Sequence, residues 1–128
     1  MTRSIWTAFS ILALVVLLAA CRSPMPVFNV QSHPFATPLA ALAERDMQIR
    51  RAGAGLGWVM NDVSPGRIQA VLNIRTHQAV ADITFSQTAF SITYRTSSNL
   101  DYDGHTIHPN YNGWIENLEK AIIIQSGF

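Results

Sequence analysis

The side chains of this sequence that are best suited to bind a ligand or an ion lie in one segment, residues 97–112. The segment is dense in Asn, Asp, Tyr and His, and it is long for a connection inside a small domain. Long loops of this polar composition often carry function. The candidate binding residues are three in this loop and two in the turn at 75–77, namely Arg75, His77, Asp101, Asp103 and His105.

Four segments of alternating apolar and polar residues predict the strands that place this loop and this turn. They cover 58–63, 68–75, 79–85 and 90–95, and such alternation is typical of a sheet with one buried and one solvated face. Because the links are short, an antiparallel meander is expected. The turn at 75–77 and the end of the fourth strand then share one end of the sheet, so that the five candidate side chains can converge.

The same five residues have a purely structural interpretation. Arg75 and His77 can simply hold the loop carboxylates in place, because a long loop must satisfy its own polar groups. Tyr102 and Tyr111 would then be packing residues whose hydroxyl groups are hydrogen-bonded. The sequence leaves both interpretations open.

Two metal-binding patterns in the loop are incomplete. Residues 99–104 match the opening of a calcium loop, but Asn110 stands where a bidentate Glu is needed. His105 and His108 can approach one zinc ion, but no second ligand pair has zinc spacing. A nucleophile elbow, a phosphate-cradling glycine loop and a dinucleotide fingerprint are also missing. We therefore predict no metal, no cofactor and no catalytic residues, as in a non-enzymatic protein.

Two amphipathic helices are predicted to flank the strands. The first begins with Thr37 as its N-cap and Pro38 in its first turn, and it ends near Gly57. The second runs from about Pro109 to Gln125. Each helix needs an apolar partner, and the sheet offers one apolar face. The predicted fold class is therefore α+β, with two layers, a four-stranded antiparallel meander and both helices on one face, in the order α-β-β-β-β-α.

The N-terminus has the organisation of an export signal. Arg3 precedes an almost wholly apolar run at 5–18, and two alanines follow. The run Leu18-Ala19-Ala20-Cys21 resembles the lipobox of bacterial lipoproteins and contains the only cysteine of the chain. The resemblance implies that the Cys21 thiol receives a diacylglycerol, that residues 1–20 are removed, and that the new amino group is acylated. An uncleaved membrane helix is the alternative, although the run is short for a span.

The lipobox resemblance also implies a location and a domain organisation. Several fatty chains hold a protein permanently on a bilayer, and Arg22, in place of Asp, favours the periplasmic face of the outer membrane. Residues 21–36 carry three of the six prolines and are predicted to form an extended tether. A single domain would occupy residues 37–128. Alternatively, residues 27–30 form an extra edge strand of the sheet.

Six stretches within residues 38–123 carry a second resemblance, at 57–58, 65–68, 75–77, 90–94, 98–102 and 107–114. Together they resemble a group of small, uncharacterised proteobacterial lipoproteins. The resemblance supports the fold and the compartment, and it implies no catalytic residues.

The charge balance excludes one class of partner. Removal of residues 1–20 takes away Arg3 and leaves eight basic and eight acidic residues, so the mature chain has no electrostatic attraction for nucleic acid. We expect a lipid-anchored envelope domain that contacts another envelope protein, with free sheet edges as docking surfaces. The alternative is a small-ligand or cation-binding module at the sheet end formed by the 75–77 turn and the 97–108 loop.

Overall fold

The computed structural model describes residues 23–128, so the predicted signal (residues 1–20) and Cys21 lie outside the described part. The predicted α+β class is confirmed, with two helices, a five-stranded antiparallel sheet and a small two-stranded sheet. The elements are β1 (Met25–Pro26), β2 (Val30–Pro34), α1 (Leu42–Gly55), β3 (Val59–Ser64), β4 (Arg67–Ile74), β5 (His77–Phe85), β6 (Ala89–Ser98), β7 (Thr106–Ile107) and α2 (Pro109–Gln125).

The predicted four-stranded meander is present, and the observed sheet has one strand more than predicted. Strands β3, β4, β5 and β6 pair consecutively, and β2 adds a fifth strand beside β6. The register places Ile68 opposite Ile83, and Ile83 opposite Ile92, on the buried face. Ile49 of α1 and Ile115 of α2 are fully buried in the same core cluster. Both helices therefore cover the apolar face that the alternation predicted.

The opposite face of the sheet carries charged residues around Asp82, next to a row of three valines, Val59, Val71 and Val80, that pair across β3, β4 and β5. Asp82 on β5 accepts hydrogen bonds from Arg95 at 3.1 Å and from Arg67 at 3.4 Å. These ion pairs are partly exposed, and pairs of this kind contribute little to stability. They place charged groups at the solvent on this part of the face.

The prediction of an extended tether over residues 21–36 is wrong from Met25 onward. Strand β1 pairs with β7, and β2 pairs with β6. Between them, Asn112 on α2 accepts from the backbone N–H of Phe28 at 2.9 Å and donates to the carbonyl of Pro26 at 2.8 Å. Val30 and Phe35 are buried in the core cluster. Burial of these apolar side chains favours incorporation of the segment, which the prolines alone did not suggest.

The predicted start of the first helix is also wrong. Helix α1 begins at Leu42 after Ala41, which makes no side-chain cap. Thr37 instead serves the fully buried Arg45: its hydroxyl accepts at 3.1 Å and its carbonyl accepts at 2.7 Å. A buried guanidinium must be hydrogen-bonded, and this requirement prevails over capping by Thr37. The prediction for α2 is confirmed, and the imidazole of His108 caps it by accepting from Asn110 N at 3.1 Å.

The two ends of the sheet differ in what they carry. We call the end nearest Met25 the proximal end; it comprises strands β1 and β7, the turn at 75–76 and the loop at 99–105. The distal end comprises the turns at 65–66 and 86–88 and the start of α1. Strand β4 joins the two ends, and its eight residues span about 26 Å. Within residues 23–128, neither helix is long and apolar enough to cross a membrane.

Candidate functional site

The loop and the turn at the proximal end meet, as the topology predicted. The Nδ1–H of His77 donates to the carbonyl of Asn99 at 2.6 Å, and the Asn99 amide donates to the Thr76 hydroxyl at 2.8 Å. Arg75 and Asn99 both adopt left-handed backbone conformations, with φ of 55° and 59°. These contacts fix the relative position of the turn and the loop.

The carboxylate of Asp103 accepts hydrogen bonds from its own loop. Its Oδ1 accepts from the backbone N–H groups of His105 at 2.8 Å and Thr106 at 2.7 Å, and its Oδ2 accepts from the Thr106 hydroxyl at 2.8 Å. These bonds, led by the backbone bond from Thr106 and then that from His105, lower the pKa of the Asp103 carboxyl to about 2. Asp103 therefore organises the loop.

The remaining candidates do not form a cluster with it. In the part of the chain that the structure describes, the side chains of Arg75, Asp101 and His105 take part in no hydrogen bond or ion pair. Over the same residues, no three His, Asp or Glu side chains come close enough to hold a metal ion. Of the five predicted residues, His77 joins the turn to the loop and Asp103 shapes the loop, while a binding role for the set stays a prediction.

Replacing Asp103 with alanine should loosen the loop. We expect amide hydrogen exchange at His105 and Thr106 to become about tenfold faster, because both N–H groups lose their acceptor. In the unaltered protein, the depressed pKa means that this restraint is complete above the ordinary Asp pKa and is lost as the pH falls through about 2. Asp101→Asn, at an exposed position of the same loop, is the control and should leave both exchange rates unchanged.

Three tyrosines pack together at the proximal end, and one of them, Tyr102, belongs to this loop. The ring of Tyr94 lies 4.2 Å from that of Tyr102 and 5.4 Å from that of Tyr111, measured between centroids. Tyr94 and Tyr102 have hydroxyl partners, Ser97 at 2.8 Å and the Gly104 carbonyl at 3.3 Å. The buried hydroxyl of Tyr111 has no partner among the described residues. The expectation of paired hydroxyls is therefore confirmed for Tyr102 and wrong for Tyr111.

Replacing Tyr111 with phenylalanine should stabilise the protein by about 1 kcal/mol, because a buried hydroxyl without a partner is destabilising. Burial, and then the nearby Tyr94 and Tyr102, raise the pKa of Tyr111 above the ordinary 10. The folded state therefore keeps a proton that the unfolded state loses above pH 10. In this range stability should fall by about 1.4 kcal/mol per pH unit on account of Tyr111. Urea unfolding at several pH values would show a shallower decline in Tyr111→Phe; an equal decline would contradict the assignment.

An apolar groove, which the sequence did not reveal, lies at the distal end. It has a volume of about 690 Å³ and lies between the start of α1 and the β3–β4 turn. Met47 and Val63 line it and are about half exposed, at 52% and 53%. The full lining is Leu42, Ala43, Asp46, Met47, Asp62, Val63, Ser64, Pro65, Gly66 and Phe85. We call it the distal groove.

The rim of the distal groove carries a net negative charge. Asp46 and Asp62 both contribute to the lining, and Arg50 forms ion pairs with both of them, at 2.6 Å with Asp46. Two carboxylates facing one guanidinium leave one negative charge. The groove therefore combines an apolar floor with an acidic rim.

Each edge of the sheet carries features that disfavour the addition of a strand, while the docking role of the edges stays a prediction. At the β3 edge, Arg50 donates to the carbonyl of Met60 at 3.1 Å and pairs with Asp62. At the β2 edge, the strand is short, is irregular in register, contains Ser32 at φ 48° and ends at Pro34. Such features disfavour the addition of further strands. The distal groove is thus a better candidate for an interaction site than either edge.

The described residues form a small α+β domain with one apolar, acid-rimmed groove and a tied-down polar loop at opposite ends of a sheet. Comparison of the chain with protein-family models, with curated proteins and with solved structures finds no match.

Proposed function

We propose that this protein is a lipid-anchored, non-enzymatic interaction module of the bacterial cell envelope, and that it holds an apolar segment of another envelope protein in the distal groove. The groove is the observation that carries the proposal. Its volume of about 690 Å³ lies in the range of cavities that bind small molecules or several side chains.

The lining specifies the chemistry of the partner. Apolar side chains such as Leu42, Met47 and Phe85 favour apolar ligand groups, and an unbranched, flexible Met side chain can adapt its packing to different ones. The single negative charge that remains at the rim favours a cationic neighbour. The proposed occupant is therefore an apolar peptide segment that carries Lys or Arg.

The anchor and the location form the second half of the proposal. The lipobox-like run before Cys21 supports diacylglycerol attachment at its thiol. Arg22 supports sorting to the periplasmic face of the outer membrane. A module held there by fatty chains would meet membrane-associated partners at high effective concentration.

Methyl NMR on the full lipidated protein in lipid nanodiscs can test the groove. Met47 lies in the groove and Met25 lies at the other end of the sheet, so the two methyl groups report on the two ends. The probes are a short peptide of leucine and arginine and the same peptide with glutamate in place of arginine. We expect the first to shift the Met47 signal and leave Met25 unchanged, and the second to bind at least about tenfold more weakly.

Two matched substitutions on one strand provide the control. Val63→Lys replaces an apolar contact in the groove with a cation that repels arginine, and it should weaken binding of the arginine peptide by about tenfold or more. Val59→Lys, at a similarly exposed position outside the groove lining (56% against 53%), should leave binding unchanged. Equal effects of the two substitutions would contradict the proposal. A concentration-dependent Met47 shift without peptide would instead identify a second copy of the chain as the occupant.

A small ligand or a cation at the proximal end is the second candidate function. The hydrogen bond between His77 and Asn99 favours it, because this bond holds Arg75 and Asp101 on adjoining segments. A thermal-shift screen with divalent cations and small anions tests it. A shift in melting temperature that persists in the Asp101→Ala, Asp103→Ala double variant would exclude this site.

A further inference from the structure

We infer that the proximal end of the domain rests on the lipid bilayer, with Met25 and Tyr102 at the contact, so that the distal groove faces away from the membrane. The inference rests on the proposed membrane anchor and adds an orientation to it. It concerns the proximal end, which lies at the opposite end of the sheet from the distal groove.

The distance between Cys21 and the folded domain is short. Arg22, Ser23 and Pro24 alone separate Cys21 from β1, so the linker reaches at most about 14 Å even when fully extended. The domain is longer than this, since β4 alone spans about 26 Å. A linker shorter than the domain keeps the proximal end beside the bilayer, and it does not let the distal end reach the lipid while the proximal end stays away.

The point where the chain joins the domain is rigidly held. Met25 pairs with Ile107 and Pro26 with Thr106, and the next residue, Val27, donates its N–H to the His105 carbonyl at 3.1 Å. Asn112 then binds the backbone on both sides of Val27. The short linker therefore holds the β1–β7 sheet and the loop around His105 close to Cys21.

The surface around this point suits a lipid headgroup region. Met25 and Tyr102 are exposed to 50% and 43%, although both have large apolar side chains. Tyr102 is positioned by its stacking on Tyr94, and tyrosine is enriched at membrane–water interfaces. Arg75 balances the charge of Asp101, and the Asp103 carboxylate, which accepts three hydrogen bonds from its own loop, leaves one negative charge at this end. The contact with lipid therefore rests on the apolar side chains of Met25 and Tyr102 and not on charge.

The position of the membrane does not depend on the fate of the leader. The apolar run at 5–18 ends shortly before Cys21. A bilayer would therefore lie next to Cys21 if the leader were kept as well as if fatty chains replaced it. The distal groove, at the far end of β4, would lie about 26 Å further from the lipid and open toward the periplasm.

Fluorescence quenching on vesicles tests this orientation with the full lipidated protein. Cys21 is the only cysteine, so once lipidation has consumed its thiol, one introduced cysteine takes up a dye selectively. Ser98→Cys marks the proximal end and Thr84→Cys the distal end, both at exposed strand positions. The vesicles contain phosphatidylethanolamine, phosphatidylglycerol and a headgroup nitroxide lipid. We expect several-fold stronger quenching at position 98 than at position 84.

Two further measurements make the outcome decisive. Inserting about ten Gly and Ser residues after Ser23 lengthens the linker flexibly and should remove most of the difference between the two positions. Equal quenching at 98 and 84 in the protein without the insertion would overturn the orientation while leaving the anchor intact. Failure of the protein to float with the vesicles would instead refute the membrane anchor, and the inference with it. Dye uptake without any introduced cysteine would refute the lipid on Cys21 alone, since a retained leader would hold the same end at the bilayer.

Discussion

Replacing Arg45 with methionine is expected to lower the free energy of unfolding by about 3 kcal/mol. The Arg45 guanidinium is fully buried and has no carboxylate partner among the described residues. It donates to the Gln87 carbonyl at 2.9 Å, to the Gln48 side chain at 3.0 Å and to both oxygens of Thr37. Methionine fills the space but leaves these acceptors unpaired, and relief from burying a charge offsets only part of that loss.

The position of Arg45 explains why a large part of the stability depends on this one side chain. Its hydrogen bonds join the start of α1 to the β5–β6 turn and to the segment that leads from β2 to the helix. Its guanidinium carbon lies 4.1 Å from the centre of the Phe35 ring, at a distance that permits a cation–π interaction. Burial lowers the pKa of Arg45, and the charge of Glu44 counteracts this. The guanidinium nevertheless stays charged at neutral pH.

Urea unfolding of three variants tests this role. Arg51→Met changes an exposed arginine of the same helix and should alter stability by less than about 0.5 kcal/mol. Arg45→Lys should recover little of the loss, because an ammonium group cannot reproduce the planar fork of donors. Equal losses in Arg45→Met and Arg51→Met would show that the Arg45 hydrogen bonds do not stabilise the fold.

Replacing Gly66 with alanine is expected to cost about 3 kcal/mol. Gly66 follows Pro65 in the β3–β4 turn and has φ of +81°, a left-handed conformation that strains residues with a Cβ. A Cβ at this position would lie 2.8 Å from the Phe85 carbonyl oxygen. That oxygen belongs to the backbone and cannot move aside, since the Phe85 N–H is already bound to the Gly66 carbonyl at 2.9 Å.

The Gly66→Ala substitution should also change the shape of the distal groove, because Gly66 and Phe85 both line it. We expect Gly66→Ala to lower the melting temperature and to perturb the Met47 methyl signal in the unbound protein. Gly113→Ala is the matched control. A Cβ at Gly113 in α2 meets no atom within 4 Å, so alanine there should stabilise the helix by about 0.5–1 kcal/mol. Changes of the same sign in both variants would contradict the steric explanation.

The parts of the fold that follow from local pattern could be predicted from the sequence. Alternation on β4, β5 and β6 identified the buried face, and Pro109 marked the start of α2. The start of α1 and strand β2 could not be predicted in this way. Thr37 matches the N-cap pattern, but its oxygens accept hydrogen bonds from the buried Arg45, eight residues later. The prolines near Met25 suggest a free tether, whereas the segment forms hydrogen bonds to residues that are distant in sequence.

The same division applies to the candidate sites. The meeting of the 75–77 turn with the loop after β6 follows from the topology of a meander and is confirmed, with Asn99 as the contact that sequence reasoning missed. The distal groove depends on how α1 crosses the β3–β4 turn, which no local pattern reports. The feature that marks the groove is a pair of apolar residues, Met47 and Val63, at positions that the structure leaves exposed.

The proposed lipid on Cys21 is the most direct point at which to test the proposed function. Mass spectrometry of the protein isolated from bacterial membranes should find Cys21 as the first residue, with residues 1–20 absent, a diacylglycerol on its sulfur and an acyl chain on its amino group. A water-soluble mature form with an unmodified Cys21 thiol would contradict the anchor, the outer-membrane location and the choice of an envelope partner.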